Sequence, residues 1–355
     1  MGFLEENDYR RFLLNQVPSH AYFSSALYQH PSAPTMDLKG WKGADLIFDL
    51  DADHIRGAEG MSYQDMLVLV KKEAMALVDR FIFGEFGFDE RHVRISFSGG
   101  RGYHIHVRDP RVRALGSHER GEIIDFVSGT DLDLESVFPS TASMKKDFKE
   151  KVKVERAYRI PGQDQGGWRR FGREVLVKVA GEIGAMSNQG LRERYPLLQT
   201  AKDATLDDMR RSLHGLRGGP TGLELMMRED SLEYFTSDRV KELFIQMVLQ
   251  SLRERVGGQI DEPVTRDVKR LIRLPGSLHG KTGLKVVTLT RDDMGGFDPL
   301  RDAVPDAFPD RPVKVVLKEG TDIKIKDFHV RGSGLAEVPA YAAVFLVLRR
   351  WAALA

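Results

Sequence analysis

The nine residues LIFDLDADH at 46–54 limit the fold of this chain more than any other stretch. Leu46, Phe48 and Leu50 alternate with Ile47, Asp49, Asp51 and Asp53, which is the period of a half-buried strand. Positions i, i+2 and i+4 of a strand share a face, so three carboxylates would lie on one side within roughly 14 Å. Repulsion and partial desolvation both oppose that arrangement, and aspartate is a poor strand former. One reading is a solvated strand face that happens to carry aspartates. The other is a divalent-metal site, because a hard cation takes carboxylate oxygens and cancels the repulsion.

A second segment, VRISFSGGRGYHIHV at 93–107, reads as a β-hairpin. Val93, Ile95 and Phe97 alternate with Arg94, Ser96 and Ser98; after a glycine-rich turn, Tyr103, Ile105 and Val107 alternate with His104 and His106. One face is apolar, and the other presents Ser98, His104 and His106 with Arg101 at the turn. The glycines are spaced GGxG, which is not the dinucleotide pattern. Alone this is a tight turn, yet a hydroxyl, a guanidinium and imidazoles on one face suit a phosphate chain. His104 and His106 also read as a two-histidine metal pair.

The third segment, QIDEPVTRDVKRLIRLPGSLHGKTGLKVVTL, spans 259–289. Thr265 is expected to cap a short helix that turns Val268, Leu271 and Ile272 inward and Arg266, Lys269, Arg270 and Arg273 outward. Pro275 would end it, and GKTG would turn into the strand LKVVTL. These basic residues and Lys281 are offset only by Asp267, in a chain whose formal net charge is +1. A local excess of this kind is either a basic surface helix or the seat of an anionic partner.

The near-neutral total means that any nucleic-acid surface must be local. The absence of cysteine rules out disulfides and Cys-ligated zinc or iron–sulfur sites and fits a reducing cytosol, so a cytoplasmic location is expected. The start, MGFLEENDYRR, has no secretory character. The apolar run AYAAVFLVL at 340–348 is too short to span a bilayer and reads as a core helix. A helix is expected at 62–83 behind a capping Ser62, and further helical patterns fall near 169–185, 205–216 and 237–256. The predicted organisation is an α/β (α+β) catalytic domain of mixed sheets flanked by helices, discontinuous over 1–128 and 230–355. A mostly helical subdomain at 129–229 would interrupt it.

Together DLDAD, SGGRGYHIHV and DEPVTRDVKRLIRLPGSLHGKTGL, in this order and spacing, resemble the catalytic small subunit of the archaeal and eukaryotic DNA primases. The archaeal branch is the more similar, notably in RLPGSLHGKTG and SALYQHPSAPTMDLKGWKGADLIFDLDADH. Haloacid-dehalogenase-like phosphatases also open on Asp-x-Asp, but they need a small Thr or Val where this chain has Asp53. The primase resemblance, from about residue 20 to the AYAAVFLVLRRW tail, implies a primase-type catalytic domain with an inserted helical subdomain. Its activity would be that of a DNA-directed RNA polymerase, a nucleotidyltransferase making short RNA primers, and in archaea often DNA, from nucleoside triphosphates on single-stranded DNA.

By matching position, the resemblance places the metal-binding carboxylates on Asp49 and Asp51. With the family's distal histidine on His279, the third falls on Asp261 rather than Asp267; the ions would be two Mg²⁺ or Mn²⁺, and Asp53 receives none. Ser98, Arg101 and His104 fall where the family contacts the incoming nucleotide, while Arg273 and His279 fall where it holds the triphosphate, with Lys281 nearby. The partner implied is an iron–sulfur-bearing large subunit in a heterodimer, with no membrane role. Two departures stand out. Many members carry a Cys/His zinc knuckle after the first motif, where this chain has HIRGAEGMSYQDM, so no structural zinc is expected. Members also usually have a longer N-terminal segment with an Arg-Glu-Phe-like motif, which this chain lacks. Two other readings are a primase-polymerase of the same superfamily acting in end joining or lesion bypass, and a nucleic-acid-binding subunit without catalysis; the intact motifs argue against the second.

Overall fold

The computed structural model describes residues 5–355 apart from 56, 131, 147–151, 216–218 and 257–259. The chain forms two compact units: Met1–Ser128 with Gly258–Ala355, and Gly129–Gly257. The first unit begins with α1 (Glu6–Gln16), β1 (Tyr22–Ser24), β2 (Ala26–Tyr28), β3 (Trp41–Ala44), β4 (Leu46–Asp51), α2 (Tyr63–Leu77), β5 (Val93–Phe97), β6 (Gly102–Val107), α3 (Pro110–Arg113) and α4 (Ser117–Ser128). The second unit holds α5 (Leu134–Val137), the hairpin β7 (Ser140–Lys146) and β8 (Val152–Tyr158), then α6 (Gly167–Ala185), α7 (Asn188–Arg194), α8 (Asp203–His214), α9 (Gly222–Glu229) and α10 (Asp238–Val256). The chain returns to the first unit with α11 (Glu262–Arg266), β9 (Leu271–Arg273), β10 (Val287–Leu289), α12 (Arg291–Gly296), α13 (Pro299–Asp302), β11 (Pro312–Ile325), β12 (Phe328–Pro339), α14 (Ala340–Leu348) and β13 (Ala352–Leu354). The protein is thus a mixed α+β structure built on small antiparallel sheets. Among the described residues no helix is long and apolar enough to cross a membrane.

The central sheet has the order β10-β5-β6-β4 and is antiparallel throughout. Its apolar face carries Phe48, Leu50, Ile95, Phe97, Tyr103 and Ile105, all buried. Against it lies α2, whose buried Tyr63, Leu67, Val70, Ala74 and Leu77 recur at helical spacing. Burying one such side chain is worth about 1.5–3 kcal/mol, so this layer anchors the unit. Ser62 caps α2 by accepting a bond from the Asp65 N–H, and the helix widens into a π-helical turn over Val78–Glu85. As the pattern suggested, Ala340–Leu348 is a helix with six buried residues; it packs on the β12-β11-β13 sheet.

The third segment folds differently from its pattern. There is no helix capped by Thr265: α11 starts behind Asp261, stops at Arg266, and Leu271–Arg273 is a strand antiparallel to β1. In so short a run, period 2 and period 3.6 are not separable. The strand is chosen because Ile272 and Phe23 from this ribbon pack with Ile47 and Val264. The boundary at residue 229 also moves. The second unit extends to Gly257, because α10 buries Phe244, Val248 and Leu252 and packs on α6 and α8.

One wholly buried cation ties the start of β4 to a helix. Arg120 of α4 donates to the carbonyls of Ala44 and Asp45, both at 2.8 Å, and to that of Leu115 at 3.0 Å. Removing the guanidinium strands those acceptors in a dry interior, at about 1–3 kcal/mol each when unrelieved. Arg120→Met should therefore cost about 3–5 kcal/mol, read as a lower urea midpoint at unchanged m-value.

Candidate active site

Asp49 and Asp51 lie on the face of β4 turned away from α2, but β4 ends there. Asp53 falls in the short 3-10 turn Ala52–His54, so only two of the three aspartates share the strand face. The Asp51 Oδ1 accepts the Asp53 N–H at 3.1 Å. A third carboxylate comes from far along the chain: the Asp261 N–H donates to the Asp49 carbonyl at 2.9 Å, which fastens the start of α11 to β4. The Asp261 side chain makes no capping bond, whereas Asp267 is engaged with its own loop through the Lys269 N–H at 2.8 Å. The Asp49 carboxyl is pushed up to about 7, first by burial and then by the charges of Asp51 and Asp261, with Arg270 pulling the other way.

Among the described residues, no three His, Asp or Glu side chains are already drawn together as a metal cage. The donor set nevertheless fits a hard cation: all-oxygen ligands in a corner where the charges of Asp51 and Asp261 raise Asp49. The nearby imidazole does not supply the missing charge. His104, paired in register with Asp49 across β4 and β6, places Nε2 3.5 Å from the Asp49 Oδ1. Burial, with His106 and the arginines 273 and 270, holds it neutral at about 3. His106, edge-on to His104 with ring centroids 6.5 Å apart, stacks on Phe23 at 5.7 Å.

The turn after β5 is pinned from several sides. The Ser98 hydroxyl accepts the N–H groups of Gly100 at 3.3 Å and Gly102 at 3.2 Å, so the side chain expected to face phosphates also holds the loop. Tyr63 donates its O–H to the Gly100 carbonyl at 2.6 Å, and Thr282 donates to the Gly99 carbonyl. Gly99 has φ +76°, and a Cβ there would sit 2.8 Å from the His279 Cβ. Gly102 lets β6 approach β4, since its Cβ would stand 2.5 Å from the Leu50 carbonyl oxygen. Arg101 reaches back to pair with Asp53 and lies 3.7 Å from Asp51.

His279 joins this loop from the third segment. Its Nδ1 accepts the Lys281 N–H at 3.2 Å, which leaves the proton of the neutral ring on Nε2. Burial and the charges of Arg273, His20, Lys281 and Arg349 lower it to about 4. Arg273 donates to the His20 Nδ1 at 3.1 Å and lies over the Tyr22 ring at 5.2 Å. Lys281 is exposed at the rim.

The structure thus gathers Asp49, Asp51, Asp261 and His104 about one end of β4. Arg273 and His279 meet through His20, the two rings being 6.3 Å apart. Sequence reasoning left out His20, Tyr22 and Tyr63. The alternation His20, Tyr22, Ser24 was a signal for the first two, while Tyr63 is buried in the layer between α2 and the sheet.

Carboxylates in need of a cation beside a glycine turn and a cluster of arginine and histidine define a site for a phosphate-bearing ligand. A family model described as DNA primase small subunit matches residues 48–291. The chain is 39% identical to a DNA primase small subunit of Methanocella arvoryzae, over 98% of this chain and 86% of that one. It is 38% identical to that of Methanosarcina acetivorans (95% and 82%) and 34% identical to that of Picrophilus torridus (98% and 85%). The chain belongs to the DNA primase small subunit family.

Two outcomes follow from this geometry. The Asp49 carboxyl titrates higher in the fold than its ordinary value of 3.8, so without divalent ions stability falls as pH rises from about 4 to about 7. Asp49→Asn removes that dependence; its melting temperature should exceed that of wild type at pH 8, by up to a few kcal/mol of stability, and match it near pH 3.5. Gly99→Ala, strained both by φ and by His279, should cost more than about 1 kcal/mol, read as a lower urea midpoint.

Proposed function

We propose that this chain is the catalytic subunit of a DNA primase, joining nucleoside triphosphates into short RNA, and also DNA, primers on a single-stranded DNA template. The observation that carries the reading is the buried, proton-retaining Asp49 set between Asp51 and Asp261 and next to the basic groups of the third segment. Asp49, Asp51 and Asp261 would hold two Mg²⁺ or Mn²⁺ ions. Bound there, such ions lower the pKa of an attacking 3′-hydroxyl and offset charge on the departing pyrophosphate.

The other side chains bind and orient. His104 stays neutral, so it positions the Asp49 carboxylate without competing for it as a cation. Arg101, paired with Asp53 in this state, would exchange that carboxylate for nucleotide phosphate. Arg273 is oriented by His20 and Tyr22, and His279 offers its Nε2–H to the triphosphate, with Lys281 adding charge at the rim. These donors act on oxygens whose charge grows as the bond to the α-phosphate breaks, where preorganised donors are worth most. Ser98, occupied with the turn, contributes mainly by holding the loop. De novo starts need two nucleotides placed before any duplex exists, and for that we assign an iron–sulfur-bearing large subunit as partner.

The test is primer synthesis on single-stranded DNA with Mg²⁺ or Mn²⁺ and labelled ATP or dATP, with and without a co-expressed large subunit. Asp51→Asn should lower turnover by about 1,000-fold or more while remaining folded. A divalent ion should raise the melting temperature of wild type but not of Asp49→Asn/Asp51→Asn. Near-normal synthesis by Asp51→Asn would overturn the assignment.

A further inference from the structure

We infer that the outer face of the β1–β9 ribbon and the adjoining β2–β3 hairpin form the track on which the single-stranded template lies as it enters the site. This rests on the primase reading above and adds residues of β1, β2 and β3 to the basic groups of the third segment.

The inner face of the ribbon is already used: Phe23 and Ile272 pack with Ile47 and Val264. By strand alternation, Tyr22 and Leu271 then face outward, and they are 50% and 60% exposed. Tyr22 pairs in register with Arg273, so this face begins at the triphosphate end of the site. The hairpin continues it. Trp41 pairs with Tyr28 across β2 and β3, and its indole N–H donates to the Val268 carbonyl at 3.1 Å, just ahead of β9. The N–H and hydroxyl of Ser25 both donate to the Arg270 carbonyl at 2.9 Å, which joins hairpin to ribbon.

Cations are interleaved with these rings. The Arg273 guanidinium covers Tyr22, and the Lys39 ammonium lies 5.7 Å from the centre of the Tyr28 ring. Among the described residues, none of Lys39, Lys269 and Arg273 is ion-paired; the neighbouring Asp267 is bound to the Lys269 N–H instead. In a chain of net charge +1 this is a concentrated, unneutralised patch. Exposed Tyr22 and Trp41 and half-buried Tyr28, set beside cations that have no acidic partner, match the stacked bases and phosphates of a single strand. A protein-docking core, by contrast, is depleted in lysine.

The experiment is fluorescence anisotropy of a labelled oligo(dT) on the full chain, alongside intrinsic tryptophan emission. Trp168 is buried and Trp351 is half-buried, packed edge-on against Tyr63 and Phe345, so the share of quenching on oligo(dT) binding that comes from Trp41 is the part lost in Trp41→Phe, and most of it should be lost. Tyr28→Ala and Trp41→Ala should each weaken oligo(dT) binding by about 5- to 100-fold with ATP affinity unchanged. Lys39→Gln should lower the slope of log K against log salt by about one. Wild-type oligo(dT) affinity in folded Tyr28→Ala/Trp41→Ala, with quenching retained in Trp41→Phe, would overturn the track while wild-type primer synthesis kept the primase reading intact. Loss of co-purified large subunit at unchanged oligo(dT) affinity would make the face a protein dock and overturn it likewise. If the wild type neither bound oligo(dT) nor made primers, with the large subunit present, the primase reading itself would fall.

Discussion

Carboxylates that repel one another in a half-buried corner are the constraint around which the first unit is arranged. Asp49 and Asp51 are brought onto one strand face by β4, and Asp261 is bonded through its backbone to the same strand. Left to electrostatics the three would separate. They are held by terms that do not depend on their charge: the apolar layer between the sheet and α2, the three carbonyl bonds of Arg120, and the Ile47, Val264 and Ile272 cluster beneath α11. The site is poised for a cation because the scaffold, rather than the site, supplies the stability.

The basic groups opposite the carboxylates follow a complementary logic. His104 and His279 are kept neutral by burial and by neighbouring cations, so the arginines and Lys281 carry the fixed charge. Loops far apart in the chain are locked to each other at Gly99, where the backbone of one accepts the Thr282 hydroxyl of the other and no side chain would fit. An anion bound there meets donors whose positions are already set, which is the condition for electrostatic stabilisation without reorganisation.

Much of this was legible in one sequence. The acidic strand, the β5–β6 hairpin, the capping Ser62 and the C-terminal core helix all announce themselves by period and by cap or turn residues. The misread region is instructive. From Thr265 to Arg273 the apolar residues satisfy a helical stripe as well as a strand, and only the pairing of Leu271–Arg273 with Tyr22–Ser24 decides between them. Asp53 was misplaced for a related reason, since alternation continues in the letters after the strand has ended. His20 escaped because its partners, Arg273 and the ring of His279, lie far along the chain.

By itself the sequence determined the residue types the site would use, the strands carrying most of them, and the family, because those depend on short-range periodicity and on motifs contiguous in the chain. Only the tertiary structure decided that Asp261 is bonded to the strand of Asp49, that His106 stacks on Phe23, and that α10 belongs with the second unit. Each of those choices compares burial and pairing between distant segments. That comparison has no local signature, because its free energy exists only once the segments are packed together.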